Sequence, residues 1–247
     1  LKGDVDDVVI NDSLHSPDIR FGITAANDLS DISVKAAGTQ TFNNADLSAK
    51  IQTNRQGFKL TFNPSTFAIN QKQWQIAKEG VLELKDSLLT ANNIRFSQNG
   101  QEIYVSTQPS LTGNGNDIMI AVQNLVVGDF TPMFLKSPQL NGSLNGNIRV
   151  DDPFGNMAIE FDTKIDEFKF EKDSVGIILA NGQYDASPGE LKVNMISNNN
   201  LYNFSGNVGY RFNDTTTNQL SGSVVFNNSG IHLLENYLNS VFSSLDG

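Results

Sequence analysis

Phe58-Lys59-Leu60-Thr61-Phe62 decides how this chain is read. Apolar and polar residues alternate strictly, which puts Phe58, Leu60 and Phe62 on one face of a β-strand and Lys59 and Thr61 on the other. The same period of two recurs along the chain. It is found at Ile19, Phe21 and Ile23, at Ile103 and Val105, and at Ile118, Ile120 and Val122. It returns at Met157, Ile159 and Phe161, at Leu191, Val193 and Met195, and at Val208, Tyr210 and Phe212. Strands with one dry and one wet face belong to antiparallel sheets, and strand signals about 8–12 residues apart mark all-β architectures. The pattern predicts an all-β, mostly antiparallel protein.

The punctuation agrees. Asn99-Gly100, Gly113-Asn114-Gly115, Asn141-Gly142, Asn145-Gly146, Asn181-Gly182 and Ser187-Pro188-Gly189 all read as turns, because Asn and Gly tolerate positive φ. The chain holds 30 asparagines, and these turns and the polar strand faces are expected to absorb most of them. Helical periodicity is scarce. Ile231, Leu234, Leu238 and Val241 share one face of a helix expected over 230–243, with Ser229 as N-cap. A shorter helix is expected over 131–136, with Thr131 as N-cap and Pro132 as its first residue. Residues 123–142 and 227–247 each read as a strand end, a short amphipathic helix and a Leu-(Asn/Asp)-Gly ending, 105 residues apart. The chain is therefore expected to be one continuous β array over 1–247, with a weak repeat boundary near 137–142 dividing a first unit, 1–139, from a second, 140–247.

Composition narrows the function. Against 27 Asp and Glu stand 17 Lys and Arg, a formal charge of −10. Phosphate contacts need cations, so no nucleic-acid partner is expected. Hydrophobic residues make up 38% and charged residues 18%, too apolar and too weakly charged for a disordered chain. There is no cysteine and there are only two histidines, His15 and His232, which disfavours thiolate, redox and most acid–base chemistry. No stretch reads as a signal peptide or as the ~18 apolar residues of a membrane span, so a targeting or anchoring segment is expected outside residues 1–247.

No catalytic constellation stands out. Gly113-Asn-Gly115-Asn-Asp117 has the look of a calcium-binding turn, but that site needs stacked copies, and a hairpin loop is the preferred reading. Asp4, Asp6 and Asp7 read as a solvated acidic terminus. Asp162, Asp166 and Glu167 could serve a glycosidase, yet Lys164, Lys169 and Lys172 interleave with them as on the wet face of a strand. The expectation is a non-enzymatic protein without cofactor or metal.

Trp74, the single tryptophan, reads as a core anchor. Its surroundings carry a resemblance. Phe62-Asn-Pro64-Ser-Thr-Phe67-Ala-Ile69, Trp74-x-Ile76, Gly80-x-Leu82-x-Leu84, Asn93-Ile-x-Phe96 and Asn99-Gly-Gln101-x-Ile103-x-Val105 resemble the TamB family of translocation-and-assembly proteins, related to AsmA-like proteins, in its Bacteroidota branch. Leu140-Asn-Gly142-Ser-Leu-Asn-Gly146, after a short apolar helix, extends the likeness, which covers roughly residues 58 to 150. The resemblance implies an elongated sheet curled into a trough with an apolar lining and one or two short helices. It implies a periplasmic protein held in the inner membrane by a helix outside this sequence and reaching toward the outer membrane. It further implies a role in outer-membrane biogenesis, with phospholipid or outer-membrane β-strands as cargo and an assembly-type barrel protein as partner. Candidate groove-lining residues are Phe58, Leu60, Phe62, Ile94, Phe96, Ile118, Ile120, Val122, Ile159 and Phe161. The residues alone leave open whether these faces close on one another as a sandwich or line an open groove. A closed surface or extracellular module, such as an adhesin or glycan binder, is the alternative. A β-helical polysaccharide enzyme using Asp162, Asp166 and Glu167 is a third.

Overall fold

The computed structural model describes residues 1–11, 14–86, 88–110, 115–212 and 220–227. In chain order the strands are β1 (Lys2–Asn11), β2 (Leu14–Ala26), β3 (Leu29–Ala37), β4 (Phe42–Asn54), β5 (Gly57–Phe62), β6 (Ser65–Ile69), β7 (Lys72–Ile76), β8 (Val81–Lys85), β9 (Leu88–Asn92) and β10 (Ile94–Gln98). They continue as β11 (Gln101–Pro109), β12 (Asn116–Val126), β13 (Leu140–Asp151), β14 (Ala158–Phe170), β15 (Asp173–Asp185), β16 (Glu190–Asn198), β17 (Asn203–Arg211) and β18 (Leu220–Phe226). All eighteen belong to one antiparallel sheet that curls without closing. Every pairing is antiparallel, which departs from the parallel coils of a β-helix.

The sheet is a meander. β5 and β6 together pair along β4, as one strand kinked at Asn63-Pro64. β7 and β8 pair along β6 and β5, interrupted at Ala77–Gly80. β9 and β10 follow, kinked at Asn93 with φ 52°. These three breaks lie side by side and form a crease. Pro64 lacks an N–H, and the Ser65 hydroxyl bonds locally: it accepts from Ser48 N at 2.9 Å, with Asn63 O at 2.9 Å and Ser48 O at 3.2 Å within reach of its one proton. A second row of irregularities crosses β12 to β15. Asn124 (φ 52°), Gly142 (φ 140°), Glu167 (φ 52°) and Gly176 (φ 93°) sit on adjacent strands wherever the register shifts. Bulges increase twist and bend a strand, so two such rows curl the sheet.

The turns divide. Asn99-Gly100 forms a two-residue hairpin with both φ positive, 44° and 86°, and Ser187-Pro188-Gly189 lies in the β15–β16 connection. Asn141-Gly142, Asn145-Gly146 and Asn181-Gly182 are not turns; they lie inside β13 and β15. Their glycines answer steric demands within the sheet. A side chain at Gly182 would meet Lys192 O at 2.4 Å and the Phe161 ring at 2.5 Å, so the ring lies across the bare backbone. Gly113 and Asn114 are outside the described residues, as is the helix expected at 230–243.

The first helix also differs from expectation. It begins at Val127, with α1 spanning Val127–Phe130 and a single 3-10 turn over Thr131–Met133. Thr131 is inside this segment, and its hydroxyl lies within donating distance of Val127 O, at 3.0 Å, and of Leu140 O, at 3.2 Å. Burial of Asp129 and packing of Phe130 on Trp74 set the start, not the cap chemistry of Thr131-Pro132. After this connection the sheet continues, since β12 pairs with β13 from Val126↔Ser143 to Ile118↔Val150.

Gly182→Ala is expected to lower stability by roughly 1–3 kcal/mol through overpacking, read as a lower urea midpoint. Gly100→Ala meets no atom within 4 Å, so only its positive φ opposes it, at a cost of about 1–2 kcal/mol.

Candidate functional site: the apolar sheet face

Cross-strand register places all the apolar alternating residues on one side. The row Ile94, Val105, Ile120, Ile148, Phe161, Gly182, Val193, Val208 and Gly222 crosses nine adjacent strands without one polar side chain. Phe96 joins it through Ile103 and Val122, and Ile118 through Val150 and Ile159. Phe58 and Leu60 face Leu84 and Leu82, and Phe62 faces Ala49. The ten residues singled out from the sequence thus share one continuous face. Only Ile94 and Val122 among them are buried, at 6% and 7% exposure; the other eight are half-buried. Residues in the seam between two packed sheets lose nearly all contact with water. Here the described strands supply no second sheet to cover them.

One end of this face is sealed. Trp74 is fully buried, stacked on Phe67 at 6.0 Å and met edge-on by Phe130 of α1 at 5.6 Å. Asp129, 3% exposed, accepts from Lys72 Nζ at 2.7 Å and Asn70 Nδ2 at 3.3 Å, which pins the helix over the aromatic cluster. Gln101 Oε1 accepts from Val126 N at 2.7 Å and fixes where β12 turns into the helix. On the same end, Tyr202 from the β16–β17 loop packs into a cluster with Val175 and Ile178, flanked by Phe168, Phe170 and Phe204. Its hydroxyl lies 3.3 Å from Asp173, and burial, then the Asp173 charge, holds its pKa above the ordinary tyrosine range. Trp74 is therefore the anchor its sequence context implied. Its partner Phe130, 56 residues away, left no local signal.

The opposite, polar face carries the charges. Asp162 projects there, Asp166 pairs with Lys164 at 2.7 Å, and Glu167 occupies the bulge. Among the described residues no three Asp, Glu or His side chains gather in a metal-holding group. Asp117, 1% exposed, and Asp151 are neighbouring carboxyls, with Arg149 Nε 3.0 Å from Asp151. Burial raises the Asp151 pKa, Arg149 opposes the rise, and the Asp117 carboxylate adds to it. The spacing of these residues, 34 apart, hid the pair from sequence reading.

No family model, curated protein or solved structure matches this chain.

Two outcomes follow from these contacts. Lys72→Met strips Asp129 of its ion pair and is expected to cost roughly 2 kcal/mol, seen as a lower denaturation midpoint that Lys72→Met/Asp129→Leu partly restores. For the acid pair, the native state holds the Asp151 proton more tightly than the unfolded chain does, whose reference value is 3.8. The stabilisation is complete below that value and is lost as pH rises through the native-state pKa. Asp117→Asn should therefore raise Tm at pH 7 by about 2 °C and flatten the pH dependence above 3.8.

Proposed function

We propose that this chain is a non-enzymatic shield of TamB type, whose apolar sheet face covers lipid chains or nascent outer-membrane β-strands during their passage between membranes. The observation that carries the reading is the half-buried apolar row across nine strands with no second sheet against it. Each methylene that leaves water gains about 0.8 kcal/mol, so an acyl chain can be held along such a face without directional contacts. The polar reverse side keeps the loaded protein soluble. The resemblance of residues 58 to 150 to the TamB family supplies the setting. In that setting the chain is periplasmic, tethered to the inner membrane by a helix outside this sequence, and serves outer-membrane biogenesis with an assembly-type barrel as partner. A two-sheet sandwich serving as an adhesin is less favoured, because the described strands build one sheet.

Ile120→Asp and Phe161→Asp place a charge on the half-buried row. On an open face the carboxylate keeps much of its hydration; in a closed core its desolvation would unfold the protein. Near-native melting with lost photo-crosslinking to phospholipid, from a neighbouring position, is the expected result. Collapse of both variants, with no lipid crosslink in the parent protein, overturns the reading.

A further inference from the structure

The reverse side of the same sheet carries a second feature. A depression of about 850 Å³ runs across β14 to β18 on the polar face. Its floor is the backbone of the row Phe161, Gly182, Val193, Val208 and Gly222, whose side chains point to the other side. One wall is a ladder of amides and a hydroxyl: Asn181, Asn194, Asn207 and Ser223 on successive strands. Adjacent strands are spaced about 4.8 Å apart, so the ladder offers a hydrogen-bonding group at each step, a pitch comparable to one sugar ring. The ladder satisfies itself only in part. Asn194 Nδ2 donates to Asn181 Oδ1 at 3.2 Å and Ser223 Oγ to Asn207 Oδ1 at 3.5 Å. That leaves the Asn181 and Asn207 amide N–H groups and the Asn194 carbonyl turned to solvent. The other wall includes Gln183 and is interrupted at Gly209, where no side chain stands between the groove and the main chain.

The charges of the groove cancel within the protein. Glu190 binds Lys192 at 3.0 Å and Arg211 at 3.4 Å, and Glu160 binds Arg149 at 2.9 Å. The Lys192 hydrogen bond holds the Glu190 carboxyl below its ordinary pKa, so the site stays neutralised near pH 7. An ionic ligand would find no uncompensated partner, and an apolar one would have to strip water from amides. What remains is a ligand that is uncharged and dense in hydroxyls, each able to donate and accept.

We infer that this cleft is a binding site for a linear, uncharged oligosaccharide laid across the strands, its hydroxyls read by the Asn181–Asn194–Asn207 ladder. Phe161 meets the cleft with its backbone and turns its ring to the apolar side, over Gly182. Affinity therefore accumulates from rows of hydrogen bonds, and several sugar rings bind where one does not. The site is independent of the apolar face, and loss of lipid crosslinking leaves it untouched.

The test is an amide-resolved NMR titration of the full chain with maltohexaose, with glucose at equal ring concentration, and with a sulfated oligosaccharide. Maltohexaose is expected to shift the side-chain amides of Asn181, Asn194 and Asn207, while glucose and the sulfated chain do not. Asn194→Leu and Asn207→Leu, both at exposed positions, should each weaken binding about fivefold, the loss of one hydrogen-bonding step. Asn147→Leu, on the same cross-strand row but outside the cleft, should leave binding unchanged. Unchanged circular dichroism shows that the variants fold. The inference is overturned if maltohexaose moves none of these amides, if the variants bind like the parent, or if the sulfated chain binds better.

Discussion

One constraint governs this molecule: its strands share one predominantly apolar face, and the described strands build no second sheet to receive it. An ordinary β-sandwich removes such faces from water by stacking two sheets. Here the sheet deals with them by curling and by sealing one end. Phe130 and Tyr202 fold onto the apolar side from two different connections and bury Trp74 and Val175. Along the remaining length, neighbouring side chains in the same layer shield one another, and Phe161 shields the bare backbone of Gly182. The fold therefore owes its firmness to the closed end and its half-buried apolar face to the rest.

Curvature comes from irregularity placed in rows. A regular meander of long strands would be a flat or simply twisted ribbon. The crease at Pro64, Gly80 and Asn93 and the bulges at Asn124, Gly142, Glu167 and Gly176 interrupt neighbouring strands at matching heights. Side-chain hydroxyls carry the hydrogen bonds that the broken ladder drops: Ser65 bonds Ser48, and Thr107 bonds Ala91 N at 3.0 Å. Bending thus costs few unsatisfied backbone groups.

Much of this was legible in the sequence, and the parts that were not share a cause. Period-two alternation is local, so the strand class and the common face of Phe58, Ile120 and Phe161 could be read from short windows. The Asn-Gly pairs misled because the dipeptide encodes only permission for positive φ. Gly142 uses that permission for a bulge, and Gly146 and Gly182 serve close packing instead. Thr131-Pro132 offered a plausible cap, but the helix starts where Asp129 can reach Lys72, a partner 57 residues earlier. The Asp117–Asp151 pair and the asparagine ladder depend on which strands become neighbours. That is a property of register, and no window of sequence contains it.

The near-sequential pairing has a kinetic meaning. Among the described strands none pairs with a partner more than 32 residues away, the reach from Ile118 to Val150. Loop-closure entropy is small for such spans, and topologies rich in local contacts fold fast. A chain of this design can add one hairpin after another as it emerges from a pore, each new strand templated on the edge left by the last. Its length can grow without tangling and without a slow search for a distant closing strand.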